Sequence, residues 1–123
     1  MLSEIKHTRQ VPGEGKRRWF RDAELDLIIW YDAASEKKIT GFQLCYDKST
    51  GERALTWHFP SKYEHNAIDS GEGPYGGPKM SPILVADGIF DTSRISKAFA
   101  DRGQNVPRDI ADLVSDKIAS FPG

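Results

Sequence analysis

The sequence predicts an α+β fold in which an antiparallel β-meander of four to five strands precedes two C-terminal helices packed on one face of the sheet. Three observations predict it. Apolar residues alternate with polar ones through the middle of the chain, turn-forming residues separate the alternating runs, and apolar stripes at helical spacing follow residue 91. Strands that come first and helices that come last are typical of α+β domains.

Length and composition indicate one globular domain. The chain has 123 residues, 38% of them hydrophobic and 28% charged, which suits a single core and argues against disorder. We expect a tail over residues 1–16 and a single α+β domain over 17–123. The net charge of −1 provides no overall field to attract nucleic acid or an anionic membrane. Cys45 has no second cysteine to pair with, and no apolar run reaches the ~20 residues of a membrane span, so we expect a cytoplasmic protein with no membrane partner.

Three runs give the clearest strand predictions. Their apolar members point to one side in each run: Leu25, Leu27, Ile29 and Tyr31; then Phe42, Leu44 and Tyr46; then Leu55, Trp57 and Phe59. Shorter strands are predicted at Arg18–Arg21, near Glu4–Thr8 and over Pro82–Val85.

The pattern of the three runs is enough to align them with one another. Residues paired across an antiparallel hairpin have numbers with a constant sum, and the sum must be odd here for the apolar sides to coincide. We predict a sum of 71 for the first hairpin and 99 for the second. The core face then carries the rows Ile29–Phe42–Trp57, Leu27–Leu44–Leu55 and Leu25–Tyr46–Arg53.

The end of the chain predicts two helices. Asp91 or Thr92 can cap the first, and Gly103 stands where it should stop. The second starts near Pro107, a residue tolerated in a first helical turn. Its apolar stripe comprises Ile110, Leu113, Val114, Ile118 and Phe121. Residues 60–80, rich in proline and glycine, are predicted to form a long loop that can act as a lid.

The same pairing sums define the opposite face of the sheet. Its predicted rows are Asp26–Cys45–Ala54, Ile28–Gln43–Thr56 and Trp30–Gly41–His58. Glycine at position 41 leaves room for the Trp30 indole to lie across the strand toward His58. This face is neither cleanly polar nor cleanly apolar, which is typical of a surface that meets a loop, a second subunit or a ligand.

One hypothesis places a small-molecule site on this face, under the 60–80 loop. Its predicted ligand-binding residues are Asp26, Trp30, Gln43, Thr56, His58, Tyr63 and Tyr75. A few polar groups converging in an apolar cleft are the usual form of such sites. His58 could serve as a general base, whereas Cys45 beside Asp26 is a poor nucleophile because a carboxylate raises a thiol pKa. Whether the protein is an enzyme stays open.

No motif predicts a cofactor or a metal. His58, His65 and Asp69 could be drawn as a metal site, but their spacing matches no known zinc signature. The segment Gly71–Gly76 formally matches G-x-G-x-x-G. Gly77 and Pro78 follow it, so no helix can begin there to hold a pyrophosphate.

A basic and aromatic segment offers a third hypothesis. Lys16, Arg17, Arg18 and Arg21 interleave with Trp19 and Phe20, and such a mixture can hold the phosphates and bases of single-stranded nucleic acid. Charges at the start of a strand are usually solvated, however, and the remainder of the chain is net acidic. Nucleic acid is therefore not the expected partner.

The stretch from Arg18 to Trp57 resembles small bacterial proteins of unknown function. The similarity lies in Trp19-Phe20, in Trp30-Tyr31-Asp32 and in the strand Gly41-Phe-Gln-Leu-Cys-Tyr-Asp-Lys48. It implies a bacterial cytoplasmic protein and carries no catalytic or binding residue with it.

The leading hypothesis is a non-enzymatic interaction module that self-associates, for example as a homodimer, through the second sheet face. It rests on Ile28 and Trp30, which stand where a half-solvated sheet should be polar. The small-ligand or enzyme site comes second, and single-stranded nucleic-acid binding through the 16–21 segment comes third.

Overall fold

The computed structural model describes residues 1–6, 15–48, 52–69, 83–86 and 90–121. Within these ranges, seven strands come first and two helices last. The strands are β1 (Ser3–Glu4), β2 (Arg17–Arg21), β3 (Asp26–Asp32), β4 (Ser35–Tyr46), β5 (Arg53–His58), β6 (Lys62–Asp69) and β7 (Ile83–Ala86). The helices are α1 (Thr92–Arg102) and α2 (Arg108–Ala119).

All seven strands belong to one antiparallel sheet, and each strand pairs with its neighbour in sequence. The predicted α+β meander with two C-terminal helices is therefore confirmed, with more strands than expected. The strand that the sequence did not predict is β6.

The register of the three central strands is the predicted one. Ile29 pairs with Phe42 and Phe42 with Trp57, which gives the sums of 71 and 99. Leu25, just before β3, is buried as expected. The register of β3 with β4 shifts only beyond Trp30.

The inner face of the sheet, on which the helices pack, forms the core. Side chains from the sheet and from both helices make up one apolar cluster. Its fully buried members include Leu27, Ile29, Phe42, Leu44, Leu55, Trp57, Ile95, Phe99, Ile110, Val114 and Ile118. Each large side chain buried in this way stabilises the fold by about 1.5–3 kcal/mol.

The helix boundaries follow their capping residues. The Asp91 carboxylate accepts a hydrogen bond from the backbone N–H of Arg94, and the Gly103 N–H donates to the Phe99 carbonyl. α2 follows Pro107 directly. Among the described residues, neither helix is long and apolar enough to cross a membrane.

Two salt bridges tie α1 to the sheet. Near its start, Arg94 binds the Asp47 carboxylate with both terminal nitrogens at 2.9 Å. At its end, Arg102 binds Asp22 at 3.0 Å. α1 is therefore held at both ends as well as by its buried side chains.

The predicted loop over residues 60–80 is wrong for its first half. Only residues 59–61 turn the chain, and β6 then pairs with β5 from Lys62 onward. Tyr63 and His65 point to the inner face, where the Tyr63 hydroxyl donates to the Lys117 carbonyl at 2.8 Å. The glycines and prolines from Gly71 to Pro78 lie outside the described residues.

The first residues belong to the sheet and not to a tail. Leu2 is fully buried, and its N–H donates to the carbonyl of Arg102. Ser3 and Glu4 pair with β2. The strand predicted near Glu4–Thr8 thus begins at Ser3, and Thr8 lies outside the described residues.

Candidate functional site

The outer face of the sheet, opposite the helices, carries most of the predicted site residues. The pairing places its side chains in three rows across β2 to β6. Row one is Arg21–Asp26–Cys45–Ala54–Asn66, row two is Trp19–Ile28–Gln43–Thr56–Glu64, and row three is Arg17–Trp30–Gly41–His58–Lys62.

Row three contains an aromatic stack. The rings of Trp30 and His58 are nearly parallel, with 8° between their planes and 5.4 Å between their centroids. They meet above Gly41, where an added Cβ would lie 3.1 Å from the His58 ring and 3.2 Å from the Trp30 indole. Glycine at this position is thus what allows the two rings to meet, as the sequence predicted.

Row one is ion-paired. The Asp26 carboxylate lies 3.3 Å from both Lys48 and Arg21. The pKa of the Cys45 thiol is raised to about 11, chiefly by burial; the hydrogen bond from Gln43 opposes the shift, and the nearby carboxylates of Glu52 and Asp26 contribute to it. The thiol stays protonated at neutral pH, which does not suit a nucleophile.

Row two combines apolar surface with unsatisfied polar atoms. Trp19 lies directly opposite Ile28, and both side chains are half-buried. The indole nitrogen of Trp19 and the hydroxyl of Thr56 are buried and have no hydrogen-bond partner within the described part of the chain. Gln43 donates only a weak bond, at 3.4 Å, to the Cys45 sulfur. A buried polar atom without a partner costs about 1–3 kcal/mol, so this row is not at its energetic optimum.

The four polar residues of the predicted ligand site do not converge. Gln43 and Thr56 are cross-strand neighbours, but Asp26 is in row one and His58 is in row three. Four residues along the strands and two strands across separate Asp26 from His58 by about 16 Å. Asp26 is ion-paired and His58 is stacked and exposed, so the structure does not bring these groups around one cavity.

The two tyrosines of the predicted site do not extend it among the described residues. Tyr63 lies on the inner face, with its ring edge-on to Phe121 at 5.4 Å. Burial raises its pKa, with Asp116 adding to the shift, so its hydroxyl stays protonated and bonded to α2. Tyr75 lies outside the described residues.

The basic segment is divided between two faces. Arg17 and Arg21 belong to the outer face, whereas Arg18 binds both carboxylate oxygens of Glu4 at 2.7 and 2.8 Å. This hydrogen-bonded pair lowers the pKa of Glu4 and raises that of Arg18. Lys16 is exposed at the end of β2. The four predicted cations therefore do not form one continuous patch.

His58 and His65 cannot share a metal ion, because they lie on opposite faces of the sheet. His65 is buried on the inner face, where it forms a hydrogen bond with the Tyr46 hydroxyl and stacks on the tyrosine ring. Among the residues that the structure describes, no three His, Cys, Asp or Glu side chains cluster as metal ligands.

Sequence reasoning missed one neighbour of the aromatic stack, Lys62, and it missed the exposure of Phe59, whose ring packs edge-on against Trp57 of the inner face. Lys62 opens the unforeseen strand β6 and pairs with His58. Phe59 is 55% exposed, and the Lys38 ammonium lies 4.5 Å above its ring. The sequence does place a lysine, Lys62, shortly after the aromatic residues 57–59, which could have indicated a strand that pairs with them. Pro60 favoured a loop instead.

Comparison with known proteins gave no match to a family model, to a curated protein or to a solved structure. The function must be inferred from the geometry of the outer face.

Proposed function

We propose that this protein is a non-enzymatic interaction module that associates with a second copy of itself through the outer face of the sheet. The observation that carries the proposal is the pair of Trp19 and Ile28, two large apolar side chains that lie opposite each other and stay half-buried. An antiparallel sheet that faces water on one side normally carries polar residues there. Apolar surface at such a position commonly marks a contact.

Charged residues border this apolar pair on both sides, as they do in many protein–protein interfaces. Arg21, Asp26 and Lys48 form an ion-paired rim at one end, with the Arg21 guanidinium 5.6 Å from the Trp19 ring centre. Arg17 and Lys62 stand at the other end. Interfaces are typically apolar in the middle and polar at the rim.

The polar atoms of row two that lack hydrogen-bond partners also favour this surface as the site of self-association. The Trp19 indole nitrogen and the Thr56 hydroxyl both belong to this row. A contact that rearranges the row and supplies hydrogen-bond partners would remove part of the cost of burying them.

The size of the patch predicts weak association. Five strands at ~4.8 Å and five residues at ~3.3 Å give a face of about 400 Å². Stable complexes bury about 800 Å² on each partner. We therefore expect a dimer that forms in the micromolar range or above, in equilibrium with the monomer.

Sedimentation equilibrium over a wide concentration range tests the proposal. We expect the average mass of the native protein to rise with concentration, and the variant Ile28→Gln to remain monomeric because it removes the apolar centre without changing the charge. Ser115→Gln, on the exposed side of α2, serves as the matched control and should behave like the native protein. A native protein that stays monomeric at every concentration, or an Ile28→Gln variant that associates as well as the control, would refute self-association.

A small-molecule or catalytic site at Asp26, Gln43, Thr56 and His58 has less support. These residues are spread over three rows, and their polar groups are not directed at a common point.

A further inference from the structure

We propose that row three and its immediate neighbours bind single-stranded nucleic acid. The row reads cation, ring, glycine, ring, cation: Arg17, Trp30, Gly41, His58 and Lys62 lie side by side on five consecutive strands. With four steps of ~4.8 Å between strands, its two cations are about 19 Å apart with the aromatic stack between them. The inference goes beyond self-association: it centres on row three instead of row two, and Arg17 and Lys62 border both surfaces.

The aromatic stack leaves ring surface exposed on which a nucleobase can stack. One face of the His58 ring contacts Trp30, yet His58 remains exposed, and Trp30 is only half-buried. A nucleobase that stacks on such a ring contributes about 1–3 kcal/mol, whatever its identity, because every base has a flat π-face. The pre-formed stack above Gly41 holds the rings in place before a ligand arrives.

A second aromatic platform follows directly in the chain. Phe59 is more than half exposed, and the ammonium group of Lys38 lies over its ring. Phe59 lies at the same end of the sheet as His58 but on the side of the inner-face Trp57, whose ring it meets edge-on at 6.4 Å. This end of the sheet therefore carries one exposed ring on each side, each with a lysine beside it. Alternation of rings and cations suits a chain that alternates bases and phosphates.

Positive charge predominates at this end among the described side chains. Lys16, Arg17, Lys38 and Lys62 stand there, and the Lys62 side chain is 70% exposed. The acidic groups nearby are Glu64, 3.9 Å from Lys62, and Asp32, which accepts a hydrogen bond from the Ala34 N–H. The net charge of −1 for the whole chain conceals this local excess.

Exposed rings favour a nucleic acid over an acidic peptide or an anionic membrane. A carboxylate or a lipid headgroup would use the lysines and leave His58 and Phe59 without a role. A base must also be unpaired to stack on a side chain, which favours single strands over a duplex. With about three phosphates neutralised, the logarithm of the association constant should decrease with the logarithm of salt concentration with a slope near −2.

The test is fluorescence anisotropy with a labelled 12-residue oligothymidine, at low salt and across a salt series. We expect binding that weakens with the stated slope. His58→Ala should weaken it about tenfold through loss of stacking. The double variant Lys38→Glu/Lys62→Glu should weaken it at least as much, whereas Lys97→Glu/Arg108→Glu, which reverses two exposed charges on the helices, should retain native affinity.

Competition experiments distinguish a nucleic acid from an acidic peptide and from an anionic membrane as the partner. Poly-glutamate and anionic phospholipid vesicles should displace the oligonucleotide only weakly. Equal displacement by either one, with no effect of His58→Ala, would show a general anion surface and overturn the proposal, as would a lack of binding at low salt. The oligonucleotide assay is also run with Ile28→Gln, whose retained binding would separate this inference from self-association.

Discussion

Gly41 is the residue on which the aromatic stack depends. An added Cβ would lie 2.6 Å from the Trp57 carbonyl oxygen, a backbone atom that cannot easily move, and close to both rings. We expect Gly41→Ala to lower the free energy of unfolding by about 1–3 kcal/mol, as is usual for an overpacked site, even though alanine is otherwise preferred to glycine in a strand.

Urea unfolding of Gly41→Ala checks this expectation. In a Trp30→Ala background the loss should be smaller but not abolished, because the clash with the Trp57 carbonyl remains. A Gly41→Ala variant as stable as the native protein would mean that the rings do not meet above this position.

Asp22 makes the fold sensitive to acid. Its side chain is only 5% exposed, which by itself would raise its pKa. The backbone N–H groups of Glu24 and Leu25 and the guanidinium of Arg102 outweigh burial and lower the pKa of Asp22 to about 2. The ordinary value is 3.8, so the ionised form is favoured in the folded state.

The sign of the pH effect follows from that shift. Because the folded pKa lies below the unfolded one, Asp22 stabilises the protein above about pH 4, and the contribution is lost as pH decreases toward 2. A shift of this size corresponds to about 2 kcal/mol. We expect Asp22→Asn to lower the free energy of unfolding by about that amount at pH 6.

The difference between Asp22→Asn and the native protein should be largely lost near pH 2, where the Asp22 carboxyl is half protonated in the folded protein and almost fully protonated in the unfolded one. Denaturant unfolding at several pH values measures it, with Asp112→Asn, whose side chain is 72% exposed, as the control. A difference that stays constant from pH 6 to pH 2 would contradict the assignment of the effect to this carboxylate.

At the scale of elements, the register of the three central strands could be predicted as far as Trp30. Phe42 and Trp57 each stand between two residues that are not large and apolar, and a shift by one residue would turn both of them toward water. Local pattern and tertiary structure agree in these strands, so the pairing sums were determined by the sequence alone.

β6 could not be predicted because its alternation is not apolar. Its inward side chains include Tyr63 and His65, whose polar atoms bond to groups distant in sequence: the Lys117 carbonyl in α2 and the Tyr46 hydroxyl in β4. Pro60 and the glycines from residue 71 onward favoured a loop on local grounds. Tertiary hydrogen bonds outweighed that preference.

β1 is short, and the residue directly before it, Leu2, packs into the core. Leu2 is fully buried, while its neighbour Ser3 is exposed. We expect Leu2→Ala to lower the free energy of unfolding by about 2–5 kcal/mol through the cavity it leaves. Ser3→Ala should change it by less than about 0.5 kcal/mol. Urea unfolding of both variants is the measurement, and equal stability of the two would mean that the first residues are not part of the core.

At the scale of the whole molecule, the sheet separates two roles. The inner face and both helices form the core, and the outer face carries the surfaces for which we propose contacts. The rows of the outer face could be predicted because they follow from the same register as the core. Their electrostatics could not, because Asp26 pairs with Lys48, which is distant from it in sequence.

The two proposed contacts use neighbouring but distinct parts of that face. Self-association centres on Trp19 and Ile28 in row two, and nucleic-acid binding centres on Trp30 and His58 in row three. The neutral variant Ile28→Gln separates them, since it should abolish association and leave oligonucleotide binding unchanged.

The three tryptophans provide the most direct test that contacts are made by the outer face. Trp19 and Trp30 lie on that face, and Trp57 is buried on the inner face against the helices. In a dilution series followed by ¹⁵N NMR of the indole N–H groups, we expect the signal of Trp19, and to a smaller extent that of Trp30, to shift with concentration while that of Trp57 stays constant. A concentration-dependent shift of Trp57 alone, or no shift of Trp19 at any concentration, would contradict the outer face as the contact surface.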